Sequence, residues 1–368
     1  MTLTLKTNDF NAFFDAPFNG YGADSHYISP LNLDLKRFVS ATENPLFQGD
    51  SEITYFTAHR DGRPIGRITA HIHAESNQMH GLARGYFGYF DCADDAEAAN
   101  LLLTTAEDWA RARGCTDMAG NFNLTAMQQI GVCTEGFENP PYTDQIWSPP
   151  HIARLLTENG YAPTFPMATF HAAIQGMPAL AMGPKQQAIL DDPSFTFAPM
   201  TRATINDRME DARIVLNASF ADNPMFVPLT SEEFKFQAKD LKWIMDPRIS
   251  AVLHRDGAPV ACIVCIPDVN PFLSATRSRI GLLTPFQFLK HKFTCRRAIV
   301  IFAGVLPELQ GIGVNPLLMS KIFTAAQKAG YDTIANTWIG DENGASLGQR
   351  EKAGATALHR LHLFGKSL

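Results

Sequence analysis

One tetrapeptide constrains this chain more than any other feature: His59-Arg60-Asp61-Gly62 recurs as His254-Arg255-Asp256-Gly257, 195 residues later. Each copy sits inside a longer stretch, residues 53–74 and 249–268, that reads as two β-strands joined at an Asp-Gly tip. Two further markers keep the same order. Gly114 and Gly330 each close a helical stretch and precede a strand-like run, and Gly160 and Gly354 each end another helical stretch. The chain therefore runs strand–strand–helix–strand–helix twice. That order predicts an α/β sheet with at least one parallel pair across the helix.

The duplication also locates what is not duplicated. The second half carries about 21 extra residues around 270–297, and the first about 22 around 121–145. Insertions of this length in a compact fold are more often functional than structural. Pro and Gly break the pattern near 175–195, where the domain boundary is expected. A chain of 368 residues suits two domains of ordinary size.

A net charge of −6 argues against a general nucleic-acid binder. The N-terminus has no apolar signal region, and no apolar run reaches the ~18 residues a membrane span needs. The six cysteines are scattered, as free thiols in a reducing compartment would be. A cytoplasmic setting is expected.

Residues 298–330 carry the most chemistry. Ala298–Val305 is a continuous apolar run, as in a strand buried on both faces, and Pro307 ends it. A loop, Gln310-Gly311-Ile312-Gly313-Val314-Asn315, then leads into a helical pattern of Val314, Leu317, Leu318, Ile322, Ala325 and Ala326. Pro316 suits a first helical turn and Gly330 a C-terminal stop. Free amides and the helix dipole favour an anion at such a start, and glycine lets backbone approach phosphate oxygens. The same residues would also make a plain strand-to-helix turn.

Pro307, Gln310, Gly313 and Asn315 are spaced as in the acetyl-CoA loop of the GNAT superfamily, which this stretch resembles. There Gln or Arg, two residues, Gly, one residue and Gly or Ala follow the fourth strand; Asn315 departs from the last position. The resemblance implies an α+β chain of two tandem GNAT-like domains, each a mixed, mostly antiparallel sheet flanked by helices. Residues 1–180 would form a degenerate domain without the coenzyme A loop, and 195–368 the acyl-CoA-binding domain. The resemblance further implies that the amides of Gln310, Gly311, Ile312, Gly313, Val314 and Asn315 hold the pyrophosphate. The preceding strand would splay from its neighbour near Gly304 and bind the pantetheine arm. Val305 would present an N–H to the thioester carbonyl, and Asn343 follows the next strand as in the superfamily. The superfamily's frequent Tyr acid has no counterpart after Tyr331. In the first half, Asp91, Asp94 and Asp95 stand where the loop would be; carboxylates there stabilise a helix start but repel pyrophosphate.

Asn44-Pro45-Leu46-Phe47, Gly66-Arg67-Ile68, Gly85–Phe90, Glu135-Gly136-Phe137 and Pro140-Pro141 resemble a bacterial tandem GNAT-like family. That family includes proposed ceramide synthases, which N-acylate a sphingoid base. Residues 123–131 depart from the family's more polar, acidic pattern. The reading is an acyl-CoA-dependent N-acyltransferase acting on an amine, with a lipid or sphingoid-type amine favoured and no metal required. Two alternatives stay open: acetyl transfer to a small soluble amine, and a non-catalytic acyl-CoA or lipid binder.

Amine acylation needs a base, and the first insertion offers Glu135, Tyr142, Asp144 and nearby His151, of which Asp144 and His151 are the favoured candidates. Replacing Gly313 with Glu is expected to abolish cofactor binding with little loss of folding. Between Asp268 and Glu308 there is no acidic residue, while Arg277, Arg279, Lys290, Lys292, Arg296 and Arg297 accompany several Phe and Leu. This stretch could contact the inner membrane face peripherally through 276–292, meet coenzyme A phosphates, or form a solvated face.

Overall fold

The structure is a computed structural model that describes residues 2–176, 182–221, 223, 225–239, 241–344, 346–348 and 354–368. Residues 177–181 of the expected boundary, and most of the helical stretch expected before Gly354, lie outside these.

In the first half, β1 (Leu3–Thr7), α1 (Phe10–Tyr21) and α2 (Asn32–Phe38) precede the hairpin β2 (Glu52–Arg60) and β3 (Arg63–Ile72). Then come α3 (Ala74–His80), β4 (Arg84–Cys92), α4 (Ala96–Arg111) and β5 (Asp117–Gly120). The short β6 (Val132–Glu135), α5 (Pro150–Glu158) and β7 (Ala162–Ala173) close it. The second half opens with α6 (Pro184–Asp191), β8 (Phe195–Ala198), α7 (Ile205–Ser219), α8 (Ser231–Gln237) and α9 (Leu241–Ile244). The second hairpin, β9 (Ala251–Arg255) and β10 (Ala258–Pro267), leads to α10 (Asn270–Thr276) and α11 (Thr284–Thr294). Last are β11 (Arg297–Val305), α12 (Val314–Ala329), β12 (Thr333–Gly340) and β13 (Thr356–Ser367).

The repeat is thus physical. Both Asp-Gly tips hold two residues at positive φ, Asp61 (50°) with Gly62 (82°) and Asp256 (52°) with Gly257 (82°). That is the primed turn whose twist matches a two-residue hairpin. The second insertion folds into α10 and α11; the first is mostly loop.

All strands of the described residues join one mixed sheet. Its order is β1-β2-β3-β4-β5-β13-β7-β12-β11-β10-β9-β8, with β6 on β13. Among the described residues only β4/β5 and β11/β12 are parallel, each bridged by a helix, α4 or α12. The last strands exchange: β7 lies on β12, while β13 lies on β5 and on β7. Each half thereby covers the sheet edge the other would leave open. In β10, Ala261, Ile263 and Cys265 face a core under α12, and Cys262 and Val264 face one under α7. Cys262 and Cys265 are therefore on opposite faces and cannot share a metal.

Candidate active site

β11 and β12 pair from Arg297↔Thr333 to Val300↔Asn336 and then part, leaving a fork in the sheet. The cause is a β-bulge. Along β10, Val264 faces Phe302 and Cys265 faces Val300, so Ile301 has no partner. The bulge sits at Ile301, three residues before Gly304, near which the resemblance implied the splay. Gly304 answers a different need, since a Cβ there would lie 2.9 Å from Ser219 Oγ on α7.

Beyond the bulge the ladder with β10 resumes. Leu306 N donates to Val260 O at 3.0 Å, so the adjacent Val305 N–H points away from β10, into the fork. The Val305 carbonyl takes a bond from Gln310 Nε2 at 3.2 Å. A short turn, Pro307–Leu309, carries the chain to Gly311 (φ 77°) and Gly313 (φ 112°), and α12 starts at Val314. Gly313 is the N-cap, and no side chain caps the helix. Gln310, Gly311 and Ile312 are exposed, Asn315 is half-buried, and Gly313 and Val314 are covered.

The cover over Gly313 comes from α6, with Lys185 Cβ 3.0 Å and Gln186 Nε2 3.1 Å from where a Cβ would be. Lys185 Nζ donates to Gly311 O at 3.2 Å, placing an exposed ammonium at the loop. The sequence carried no signal for this residue, because the contact spans 126 positions.

The first half has the same fork, filled. β4 and β5 pair only from Arg84↔Asp117 to Tyr86↔Ala119, and β4 bulges at Tyr89, φ 46°. There the chain plugs its own gap: Tyr89 N donates to Asn123 Oδ1 (2.7 Å), Phe90 N to Asn121 Oδ1 (3.0 Å), and Phe122 N to Phe87 O (2.8 Å). Asp95 caps α4, and Asp91, Asp94 and Asp95 pair with Arg67, Arg154 and Arg60. A Cβ on Gly88 would meet Phe122 O at 1.7 Å. Gly88→Ala is therefore expected to cost about 3 kcal/mol, read as a lower denaturant midpoint at unchanged slope.

The other end of the first insertion reaches the second fork. Tyr142, fully buried, donates its hydroxyl to Asn336 O at 2.7 Å, at the last residue of β12 that pairs with β11. Thr143 donates through both N–H (3.0 Å) and hydroxyl (2.9 Å) to the Asp268 carboxylate after β10. These contacts pin Asp144, at φ 63°, on the wall of a cleft of about 300 Å³. The cleft is mostly apolar, and includes Leu31 and Phe38 of the first half, Phe234 and Leu241 of the second, and Ile301 and Phe302 at the bulge. Loss of water in this setting pushes the Asp144 carboxyl up to about 7.

The other candidates lie elsewhere. His151 sits on α5 with Nε2 2.9 Å from Cys92 O and does not line the cleft. Glu135 is exposed on β6, opposite Arg360. Asn343, also exposed, accepts from Ser346 N at 3.0 Å, capping the turn that follows.

Comparison with known proteins bears on the fold. No family model matches the chain. It is homologous over nearly its whole length to two curated proteins. Protein YghO of Escherichia coli is 26% identical, the match covering 99% of this chain and 94% of that one. The bacterial ceramide synthase of Caulobacter vibrioides is 27% identical, covering 98% and 95%. Among solved structures, a tandem GNAT protein from the clavulanic acid biosynthesis pathway matches with a TM-score of 0.59 at 11% identity, over 100% of this chain and 98% of its own. A GCN5-related N-acetyltransferase from Sphaerobacter thermophilus matches with a TM-score of 0.53 at 12% identity, over 99% and 95%. The chain has the tandem GNAT fold.

Proposed function

We propose that this chain is an acyl-CoA-dependent N-acyltransferase whose acceptor is a long-chain amine of sphingoid type. The observation that carries the reading is the meeting of three features at one fork. An uncapped, glycine-lined helix start lies beyond one arm. A backbone N–H points into the gap, and an apolar cleft with a high-pKa carboxylate adjoins the bulge. The ceramide synthase homologue supports the choice of a lipid amine.

In this reading the amides around Gly311, Ile312, Gly313, Val314 and Asn315 hold the pyrophosphate of acyl-CoA, with Gln310 bracing the loop against Val305. The fit is physical: two positive-φ glycines, an exposed outer face and the Lys185 ammonium suit a dianion. Val305 N–H is aimed to bind the carbonyl oxygen as charge builds on it. Asp144 accepts the proton that the attacking amine loses. The amine nitrogen bonds to the acyl carbon as the carbon–sulfur bond breaks, and coenzyme A leaves as the free thiol, taking up the proton. Asp144 is preferred to His151 because it lines the cleft, whereas His151 is engaged by the Cys92 carbonyl. Asn343 acts in this reading through the turn it caps.

The test is release of free thiol over a panel of amines and acyl-CoA chain lengths. Turnover is expected to rise with the amine's chain length. Equal or better turnover with short soluble amines and acetyl-CoA would replace this reading, and tight acyl-CoA binding without turnover would point to a binding protein. Lys185→Glu is expected to weaken acyl-CoA about tenfold by calorimetry, since reversing one exposed charge beside a phosphate costs about 1–2 kcal/mol. Thermal stability should not change, because the side chain is exposed.

A further inference from the structure

We infer that α11 is an interfacial anchor that seats the mouth of the cleft on an anionic bilayer. The inference rests on reading the cleft as a lipid-amine site, and it names the surface from which that amine is drawn. Most surface helices turn their apolar side inward. α11 does the reverse. Phe286 (72% exposed), Leu289 (53%) and Phe293 (74%) follow one another at i, i+3 and i+7, so they share one outward stripe. Leu282, 96% exposed, and Leu283 extend the patch through the preceding turn. The inward side holds Phe288 and the buried His291, whose rings lie 5.5 and 6.2 Å from that of Phe272 on α10.

Charge chooses the occupant. At about 100° per residue, Lys290 and Lys292 fall on either side of the stripe. Both are exposed, and no acidic residue occurs between Asp268 and Glu308 to offset them. Apolar rings at the centre with lysines at both margins suit a helix lying in the headgroup layer of an anionic leaflet. The helix is also tied to the site: Phe272, which packs under its inward side, itself lines the cleft together with Leu273. No helix among the described residues is long and apolar enough to cross a membrane, so attachment of this kind is peripheral.

Co-sedimentation of the full chain with phosphatidylglycerol–phosphatidylcholine vesicles, without acyl-CoA, tests this independently of any turnover. The wild type should partition onto anionic vesicles, and less so as salt rises. Phe286→Asp/Phe293→Asp should lower the partition about a hundredfold, and Lys290→Glu/Lys292→Glu about tenfold. All four positions are exposed, so both variants should keep the wild-type melting temperature and acyl-CoA affinity. Activity on an amine embedded in vesicles should fall in step with partition. Wild-type chain that stays with the supernatant, or partition untouched by the Phe variant, overturns the inference. A wild-type dimer that the Phe variant splits overturns it too, since a second copy would then cover the stripe. Partition without any transfer activity would leave the anchor standing and remove the transferase reading.

Discussion

Ile312→Glu is expected to weaken acyl-CoA binding about a hundredfold while the protein melts at the wild-type temperature. Ile312 is exposed (42%), lies between the two positive-φ glycines, and precedes a helix start without a side-chain cap. A carboxylate there stands close to the proposed pyrophosphate. At about 6 Å, with an effective dielectric of about 40 for a half-solvated pair, each phosphate charge costs about 1.4 kcal/mol. Two cost nearly 3 kcal/mol, hence the factor of about a hundred. Ile312→Gln, similar in size but neutral, should bind nearly as the wild type does, which separates charge from shape. Calorimetric affinity unchanged by the Glu variant would remove the loop from the cofactor site.

Gly313→Glu is the poorer probe, for a reason that only the structure reveals. Gly313 sits at φ 112° with Lys185 Cβ 3.0 Å from the position of a new Cβ. A side chain there meets backbone strain of about 1–2 kcal/mol and a steric conflict with α6. Lost binding would then be mixed with lost folding, contrary to what the loop's sequence suggests.

What could be read from residues alone was whatever is written locally. The Asp-Gly tips at 61–62 and 256–257 impose positive φ on two neighbours, and that signal needs no knowledge of the rest of the chain. The apolar run into β11 and the glycine stop after α12 are equally local. The exchange of β7 and β13 was not readable, because alternation tells which face of a strand is buried and nothing about its neighbour. The plug in the first fork escaped for a related reason. Asn121 and Asn123 look like ordinary loop polars until the bulge at Tyr89 frees two amides that need acceptors. The acidic residues that seemed to exclude a phosphate there are each paired with arginine, and residues 121–123 already occupy the gap. Lys185 and the outward turn of α11 depend on packing between segments far apart in sequence.

Asp144→Asn is expected to lower turnover by roughly 10²–10³-fold with acyl-CoA affinity kept, and at the same time to make the protein more stable at alkaline pH. Both effects come from one cause. The cleft holds the Asp144 carboxyl protonated to about pH 7, against an ordinary value of 3.8. A general base must be ionised, so wild-type kcat/KM should rise with pH through about 7, and the Asn variant's residual rate should lack that limb. Stability follows the same proton. Between about pH 4 and 7 the folded chain keeps a proton that the unfolded chain has released, so folding stability falls as pH climbs through that window and stays lower above it. Asparagine carries no charge to desolvate. The variant should therefore match the wild type near pH 4 and melt higher above pH 7. A carboxylate that merely braced the 142–144 segment would predict the opposite, a lower melting temperature at every pH above its titration. An unchanged pH limb in the Asn variant would assign the base to another group. Together the two curves distinguish a reactive carboxylate held at a cost in stability from a structural one, without knowledge of which amine the enzyme acylates.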